Sequence, residues 1–258
     1  MDELTDDAIA GPYRILQRRR GHRYSLDDVA TAATAVRARP DARSYLDLGT
    51  GIGSVLLMVA YKLAADARLA AVEAQDVSME LLRQNLSRNG LTDRVHVVHG
   101  DLRDTSLALG APFELVTGTP PYLPPDRGTP SPDSQRTHAR LEMRGGVEAY
   151  LEAAARHLAP GGRFVVCADA RAKERALIGG EAAGLHARSR MDVHPRASHK
   201  GALFTVWTFA HEQGPLTIEP PLIARDSGGG RTEAAHALRE LFGLPSNRAE
   251  PPSPGHAR

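Results

Sequence analysis

Strand-like and helix-like hydrophobic patterns alternate along the chain from about residue 44 to residue 210. The strand-like runs are SYLDLG, RLAAVEA, RVHVVHGD, FELVTG, RFVVCAD, LHARSRMDVHP and ALFTVWTFAH. Between them lie longer stretches in which apolar residues recur every three or four positions, as in GSVLLMVAYKLAAD and DVSMELLRQNLSRNG. This alternation predicts an α/β fold with a doubly wound, mostly parallel sheet.

Two segments lie outside the alternating region. We predict a basic N-terminal arm over residues 1–40, a core domain over 41–211 and a C-terminal extension over 212–258. The last stretch, SNRAEPPSPGHAR, is rich in proline and polar residues, which is typical of a disordered end.

The composition is that of a soluble globular protein. The chain has 258 residues, 41% of them apolar and 24% charged, and a formal net charge of only +1. Any basic surface for nucleic acid must therefore be local. The one cysteine, Cys167, lies in an apolar run and is expected in the core. Because no stretch resembles a signal peptide or a membrane span, we expect a cytoplasmic protein.

No metal site is expected from the histidines. His96 and His99 are three positions apart on a predicted strand, so their side chains point to opposite faces.

A glycine-rich turn, LDLGTGIGS, joins the first predicted core strand to the following helix. Gly49, Gly51 and Gly53 allow the backbone to turn tightly beside a ligand. The spacing GxGxG differs from the usual GxGxxG, and such a turn can also be purely structural. Glu73 ends the next strand about 20 residues later, where a carboxylate that binds ribose belongs. Together they predict a nucleoside-cofactor site.

Three acidic residues end three successive predicted strands. Asp47, Glu73 and Asp101 are expected to line one rim of the sheet, where ligands bind in such folds. We expect Asp47 to order the glycine loop and face the amino-acid end of the cofactor. Glu73 would accept from ribose hydroxyls and Asp101 from an adenine amino group.

The tetrapeptide Thr119-Pro120-Pro121-Tyr122 follows the strand FELVTG directly. Neither proline can donate a backbone hydrogen bond, so the strand must end there in a stiff turn. In isolation this is a strand-ending turn, whereas beside a cofactor site it can hold a substrate.

The N-terminal arm contains a cluster of cationic residues that could contact a phosphate backbone. The alternative is an ordinary solvated surface. The loop over residues 127–146 is polar and proline-rich, and is either a substrate lid or a plain connection. The cluster consists of Arg14, Arg18, Arg19, Arg20 and Arg23 with His22.

The motifs LDLGTGIG, AVEA, HGDL and GTPPY together resemble the class I S-adenosylmethionine-dependent methyltransferases, and GTPPY resembles their N/D/S-P-P-Y/F/W signature of amino-group methylation. The arm and the tail are similar to the subfamily that methylates adenine N6 beside the anticodon of valine tRNA. The resemblance implies a Rossmann-like fold with a seven-stranded mixed sheet and helices on both faces. It also implies S-adenosylmethionine as cofactor and RNA, specifically tRNA, as partner.

The resemblance assigns roles to individual residues. The Thr119 side chain and the Pro120 carbonyl would accept hydrogen bonds from the N–H groups of the target amine, with Pro121 beside the substrate. Tyr122 would stack on an extruded base. Thr119 departs from the family's Asn, Asp or Ser, although a hydroxyl keeps two acceptor lone pairs.

In the segment RYSLDDVATAA, Tyr24 and Asp27 match positions that close over the cofactor in the family. Arg18, Arg19, Arg20 and Arg23 would contact the RNA.

Two alternatives remain open. The chain could methylate another amine or amide in a protein or small molecule. A glutamine-modifying protein methyltransferase shares the PPY motif but would have an N-terminal helical domain, for which a first core strand near residue 44 leaves little room. The chain could also bind cofactor or RNA without catalysis, with Thr119 as the lesion.

Overall fold

The computed structural model describes residues 3–110, 112–123, 133, 135–137 and 141–245. The strands are β1 (Leu4–Ala10), β2 (Tyr13–Arg18), β3 (Ser44–Leu48), β4 (Arg68–Glu73), β5 (Val95–His99), β6 (Phe113–Gly118), β7 (Leu158–Asp169), β8 (His186–His194), β9 (Phe204–Ala210) and β10 (Thr217–Ile223). The α-helices are α1 (Leu26–Ala38), α2 (Ser54–Lys62), α3 (Asp76–Arg88), α4 (Val147–His157), α5 (Lys173–Ala182) and α6 (Glu233–Leu241).

The main sheet has the strand order β10-β8-β9-β7-β6-β3-β4-β5. Strands β3 to β7 are mutually parallel, and β9 runs antiparallel to both β7 and β8. This arrangement confirms the mixed α/β fold. All seven predicted strands are present, and the helices lie on both faces.

The predicted number of strands in this sheet was wrong by one, because β10 adds an eighth strand. Its sequence TIEPPLI is mostly exposed and contains two prolines, so it lacks a hydrophobic pattern. It pairs with β8 alone at the sheet edge, where a proline does not interrupt a second ladder of hydrogen bonds. Part of the predicted C-terminal extension therefore belongs to the sheet.

The two faces of the sheet bury alternate residues of each strand. On β7, Val165 and Cys167 pack toward the face that carries α1 and α2, whereas Phe164 and Val166 pack toward α4. Such continuous burial is typical of a strand covered on both sides. Cys167 is a buried core residue, as predicted.

The N-terminal segment forms a β-hairpin, β1–β2, that packs on α2 and α3. Its inner side chains, including Ile9 and Ile15, are buried. The amide of Asn85 on α3 accepts from the backbone N–H of Leu16 at 2.7 Å and donates to its carbonyl at 3.2 Å. This side chain therefore satisfies the backbone of β2 much as a neighbouring strand would.

Two sequence predictions fall on residues outside the described part of the chain. The disordered end concerns residues 246–258, and the loop over 127–146 is described only at Asp133, at 135–137 and from Leu141 onward. Among the described helices, none combines the length and the apolar character needed to cross a bilayer.

Candidate active site

The glycine-rich loop lies between the end of β3 and the start of α2. Gly49, Gly51 and Gly53 have φ angles of +60°, +59° and +90°, in the left-handed region that other residues avoid. Strands β3, β4 and β6 end beside this loop, at the rim where ligands bind in such sheets.

Tyr150 on α4 packs against both the glycine-rich loop and the residue that precedes the PPY motif. An added Cβ at Gly49 would lie 2.1 Å from the Tyr150 hydroxyl, and one at Gly118 would lie 2.5 Å from its ring. Gly118 immediately precedes Thr119. No sequence pattern indicated this tyrosine, because its two partners, Gly49 and Gly118, lie far from it along the chain.

Glu73 caps the glycine loop from the end of β4. Its carboxylate accepts from the backbone N–H of Gly51 at 2.8 Å and from that of Gln75 at 2.7 Å. The side chain is buried, and burial raises the pKa of Glu73 although these N–H donors oppose the shift. Glu73 therefore lines the cleft next to the glycine loop, and its contact with a ribose hydroxyl stays a prediction.

Asp47 lies beneath the loop. It pairs with Ala71 of β4, two residues before Glu73, which places it one pleat repeat below the rim. Its carboxylate accepts from Thr50 at 2.7 Å and Thr117 at 2.6 Å. Burial raises the pKa of Asp47 to about 6. Asp47 was predicted to line the rim, but it is not among the described residues that line the cleft, because it lies two residues below the end of β4. Its bond with Thr50 joins it to the glycine loop.

Asp101 lies beyond β5 on the far side of the cleft. Its carboxylate forms a two-point ion pair with Arg103, at 2.9 and 2.7 Å, which holds the pKa of Asp101 below its usual value.

Gly49, Gly51, Glu73 and Asp101 line a cleft with a cavity volume of about 110 Å³. Gly51 lines it, and among the residues that the structure describes nothing lies within 4 Å of a Cβ built on Gly51. The loop backbone thus forms a cradle that any side chain would fill, with the Glu73 and Asp101 carboxylates beside it. Such acceptors suit the hydroxyl and amino groups of a nucleoside, so the residues present fit S-adenosylmethionine.

A second cavity of about 270 Å³ adjoins this cleft. His22, Asp28 and Thr119 line both spaces. Pro120 and Tyr122 line the second cavity, and Pro121 lines the first. Thr119 therefore lies where a cofactor in one space would meet an acceptor in the other.

Two contacts with neighbouring side chains fix the position of Tyr122. Its ring stacks on Phe204 with centroids 6.3 Å apart, and its hydroxyl donates to Asp27 at 3.2 Å. Asp27 lines the second cavity, whereas Tyr24 lines the cofactor cleft and donates to the Ala8 carbonyl at 3.2 Å.

Asp28 is a site residue that sequence reasoning missed. Its carboxylate accepts from the Ser25 N–H at 2.8 Å, completing a capping box at the start of α1, and from the Ser54 hydroxyl at 2.9 Å. Burial, assisted by nearby Asp27, raises the pKa of Asp28 to about 8. The spacing of Ser25 and Asp28 was the available signal, since it matches a capping box.

The arginines of the N-terminal segment are largely neutralised by carboxylates. Arg14 pairs with Asp6, Arg19 with Glu3 and Arg23 with Asp7, at 2.7 to 3.0 Å.

Arg18 pairs with Asp133 at 2.6 Å, which brings the loop after the PPY motif onto the hairpin. Arg20 is exposed. Gln135 of that loop donates to the Ser78 hydroxyl at 3.3 Å and lines the cofactor cleft. Within the described residues, no group of three or more His, Cys, Asp or Glu side chains could hold a metal ion.

The sheet order, the glycine cradle and the rim carboxylates define a class I methyltransferase domain, whose cofactor is S-adenosylmethionine. The chain belongs to the methyltransferase small domain family, whose profile matches residues 25–185.

Two curated relatives share about a third of the matched sequence. A tRNA1(Val) (adenine(37)-N6)-methyltransferase of Porphyromonas gingivalis is 32% identical over 124 residues, covering 47% of this chain and 48% of the relative. A release factor glutamine methyltransferase of Chlorobaculum tepidum is 32% identical over 149 residues, covering 54% and 50%. The chain thus spans about half the length of these relatives.

Among solved structures, a predicted O-methyltransferase from Agrobacterium tumefaciens superposes with a TM-score of 0.63. It is 19% identical, with 87% of this chain and all of that chain covered. This likeness concerns the fold.

We expect Glu73→Ala to weaken S-adenosylmethionine binding by about 1–3 kcal/mol, the usual cost of leaving polar partners unsatisfied. The substitution removes the acceptor facing the cleft and frees the Gly51 N–H. Calorimetry on folded protein is the measurement, with the exposed Glu80→Ala as a control that should bind normally. Unchanged affinity in Glu73→Ala would remove Glu73 from the binding site.

We expect the stability that Asp47 and Asp28 contribute to fall as pH rises through 6 and then 8. The folded state raises the pKa of Asp47 to about 6 and of Asp28 to about 8, so it favours their protonated forms. Their contribution is complete below pH 4 and is lost as each carboxyl ionises, at up to about 1.4 kcal/mol per pH unit per proton.

Urea unfolding at pH 5.5, 7 and 8.5 measures this loss. Asp28→Asn should flatten the upper part of the profile, whereas the exposed Asp93→Asn should leave the profile unchanged. An Asp28→Asn protein with the wild-type slope between pH 7 and 8.5 would show that Asp28 does not titrate there.

Proposed function

We propose that this protein is an S-adenosylmethionine-dependent N-methyltransferase that acts on an exocyclic amine, namely adenine N6 in a tRNA. The observation that carries the proposal is the position of Thr119 at the junction of the cofactor cleft and the second cavity. The P. gingivalis relative, a tRNA adenine N6-methyltransferase by name, supports the choice of substrate.

The target amine needs help because its lone pair is delocalised into the base. The Thr119 hydroxyl and the Pro120 carbonyl would accept hydrogen bonds from its two N–H groups and direct the lone pair into the cleft. Both acceptors are fixed on a turn with two consecutive prolines, so little reorganisation is needed when charge develops on nitrogen.

When bound, the cofactor supplies a methyl group on a positively charged sulfur. In the proposed reaction a nitrogen–carbon bond forms as the carbon–sulfur bond breaks, and one amine proton is released to water. Tyr122 would offer its ring to the base from the wall of the second cavity. Asp27 positions that ring through its contact with the hydroxyl.

Glutamine in a protein is the second candidate acceptor. The C. tepidum relative carries that activity in its name, and an amide nitrogen could occupy the same acceptors.

Labelled S-adenosylmethionine with unmodified tRNA or a release factor separates the two candidates. We expect label in N6-methyladenosine after nucleoside analysis. Label in the protein alone would assign the glutamine reaction, and label in neither would overturn both.

A further inference from the structure

Cationic side chains also gather at the far end of the active-site rim. Strand β7 ends beside the start of β9, and β8 and β10 also end there. The loops that follow β8 and β10 therefore lie on the same rim of the sheet as Thr119, which follows β6. We name the cations Arg196, Lys200, Arg225 and Arg231 the distal basic surface. All four are exposed.

The two loops that carry this surface support each other. The N–H of Ala197 donates to the Arg225 carbonyl at 2.8 Å. Arg225 and Arg231 face each other across an antiparallel bridge, and the Arg225 guanidinium donates to the Gly229 carbonyl at 2.7 Å. The cations are therefore held near one another by backbone contacts.

The charge of this surface is available to a ligand. In the described chain, no carboxylate lies within salt-bridge distance of Arg196, Lys200 or Arg231. The segment 195–203 contains no acidic residue, and 224–232 contains only Asp226. Asp226 accepts from the Gly230 N–H at 2.9 Å within its own turn.

The N-terminal arginines differ in this respect. Arg14, Arg18, Arg19 and Arg23 each pair with a carboxylate, so the field that they present to a phosphate is largely cancelled.

We propose that the distal basic surface, rather than the N-terminal hairpin, binds the sugar-phosphate backbone of the RNA beside the target base. This inference rests on the proposed tRNA substrate. Four strand spacings separate β6 from β10, about 19 Å. The surface would therefore meet phosphates that flank the methylated base at about this distance.

The test compares tRNA binding by two triple variants that each remove three exposed cations. The rim variant is Arg196→Ala, Lys200→Ala and Arg231→Ala, and it leaves Arg225 to support its turn. The matched control is Arg37→Ala, Lys62→Ala and Arg83→Ala. Arg37 and Lys62 lie at the C-terminal ends of α1 and α2, away from the active-site rim, and Arg83 lies on the exposed side of α3.

We expect the rim variant to bind unmodified tRNA about 10- to 100-fold more weakly at low salt, with the slope of log K against log salt reduced by about 2–3. The control, and a variant with Arg18, Arg19 and Arg20 changed to Ala, should lose much less. Cofactor affinity should be normal in all three, which checks folding.

The outcomes separate the two proposals. A wild-type protein that methylates tRNA while the rim variant keeps the wild-type affinity and slope would overturn the surface and leave the reaction standing. A larger loss in the Arg18, Arg19 and Arg20 variant would return RNA binding to the hairpin. A wild-type protein that neither binds nor methylates tRNA would overturn the substrate itself, and this surface with it.

Discussion

Gly51→Ala should leave the protein folded but weaken S-adenosylmethionine binding roughly 5- to 150-fold, which corresponds to about 1–3 kcal/mol for forcing a methyl group into a filled site. Gly51 lines the cleft, and its Cβ would meet no described atom within 4 Å in the free protein. The new methyl would therefore occupy space that the cofactor needs.

The backbone cost of Gly51→Ala can be measured separately. With φ at +59° an alanine is strained by about 1–2 kcal/mol whatever surrounds it. Gly184→Ala is the matched control, because Gly184 has φ at +72°, equally open surroundings among the described residues and a position just before β8, at the rim opposite the cleft.

Both glycine variants should lose similar unfolding free energy in urea, and only Gly51→Ala should lose affinity by calorimetry. Equal cofactor binding by the two variants would mean that the loop does not cradle the ligand. Gly49→Ala is a poor substitute, because its Cβ would collide with Tyr150 and disturb folding as well.

The sequence predicted the core of the fold well because its strands are buried on both faces. Continuous apolar runs such as RFVVCAD have few other ways to be covered. Strand β10 was not predicted, because an exposed edge strand needs no apolar pattern. The hairpin was not predicted either, because part of its backbone hydrogen bonding comes from Asn85 of α3. That contact joins residues 69 positions apart in the sequence.

The sequence likewise predicted some features of the candidate site and not others. Glu73 was placed correctly at the rim by strand-end reasoning, since the turn and the acidic residue belong to one βαβ unit. Asp47 shares that strand face but lies two residues lower, which the pairing with Ala71 reveals and the sequence does not. The sequence prediction for the arginine cluster left out its carboxylate partners. Asp133 pairs with Arg18 from a distant loop, whereas the partners of Arg14, Arg19 and Arg23 lie in the same N-terminal segment.

Thr119→Val should reduce the single-turnover rate of methyl transfer to tRNA on the order of 10²–10³-fold, the usual effect of losing one preorganised polar contact to a reacting group. Valine nearly keeps the shape of threonine but cannot accept a hydrogen bond from the amine. Because Glu73 and the glycine loop are untouched, cofactor affinity should change little.

Thr119→Ser is the matched control, since it keeps the hydroxyl and should retain most of the activity. Thr119→Asn should preserve or raise the rate, because an amide oxygen is also an acceptor and reaches further than a hydroxyl. A Thr119→Val protein as fast as wild type would leave the chemistry to the Pro120 carbonyl and to positioning. If the wild type is inactive and Thr119→Asn is active, the natural domain binds its ligands without catalysis and Thr119 is the cause. The cleft and the second cavity would then both be intact, and only the acceptor between them would be deficient.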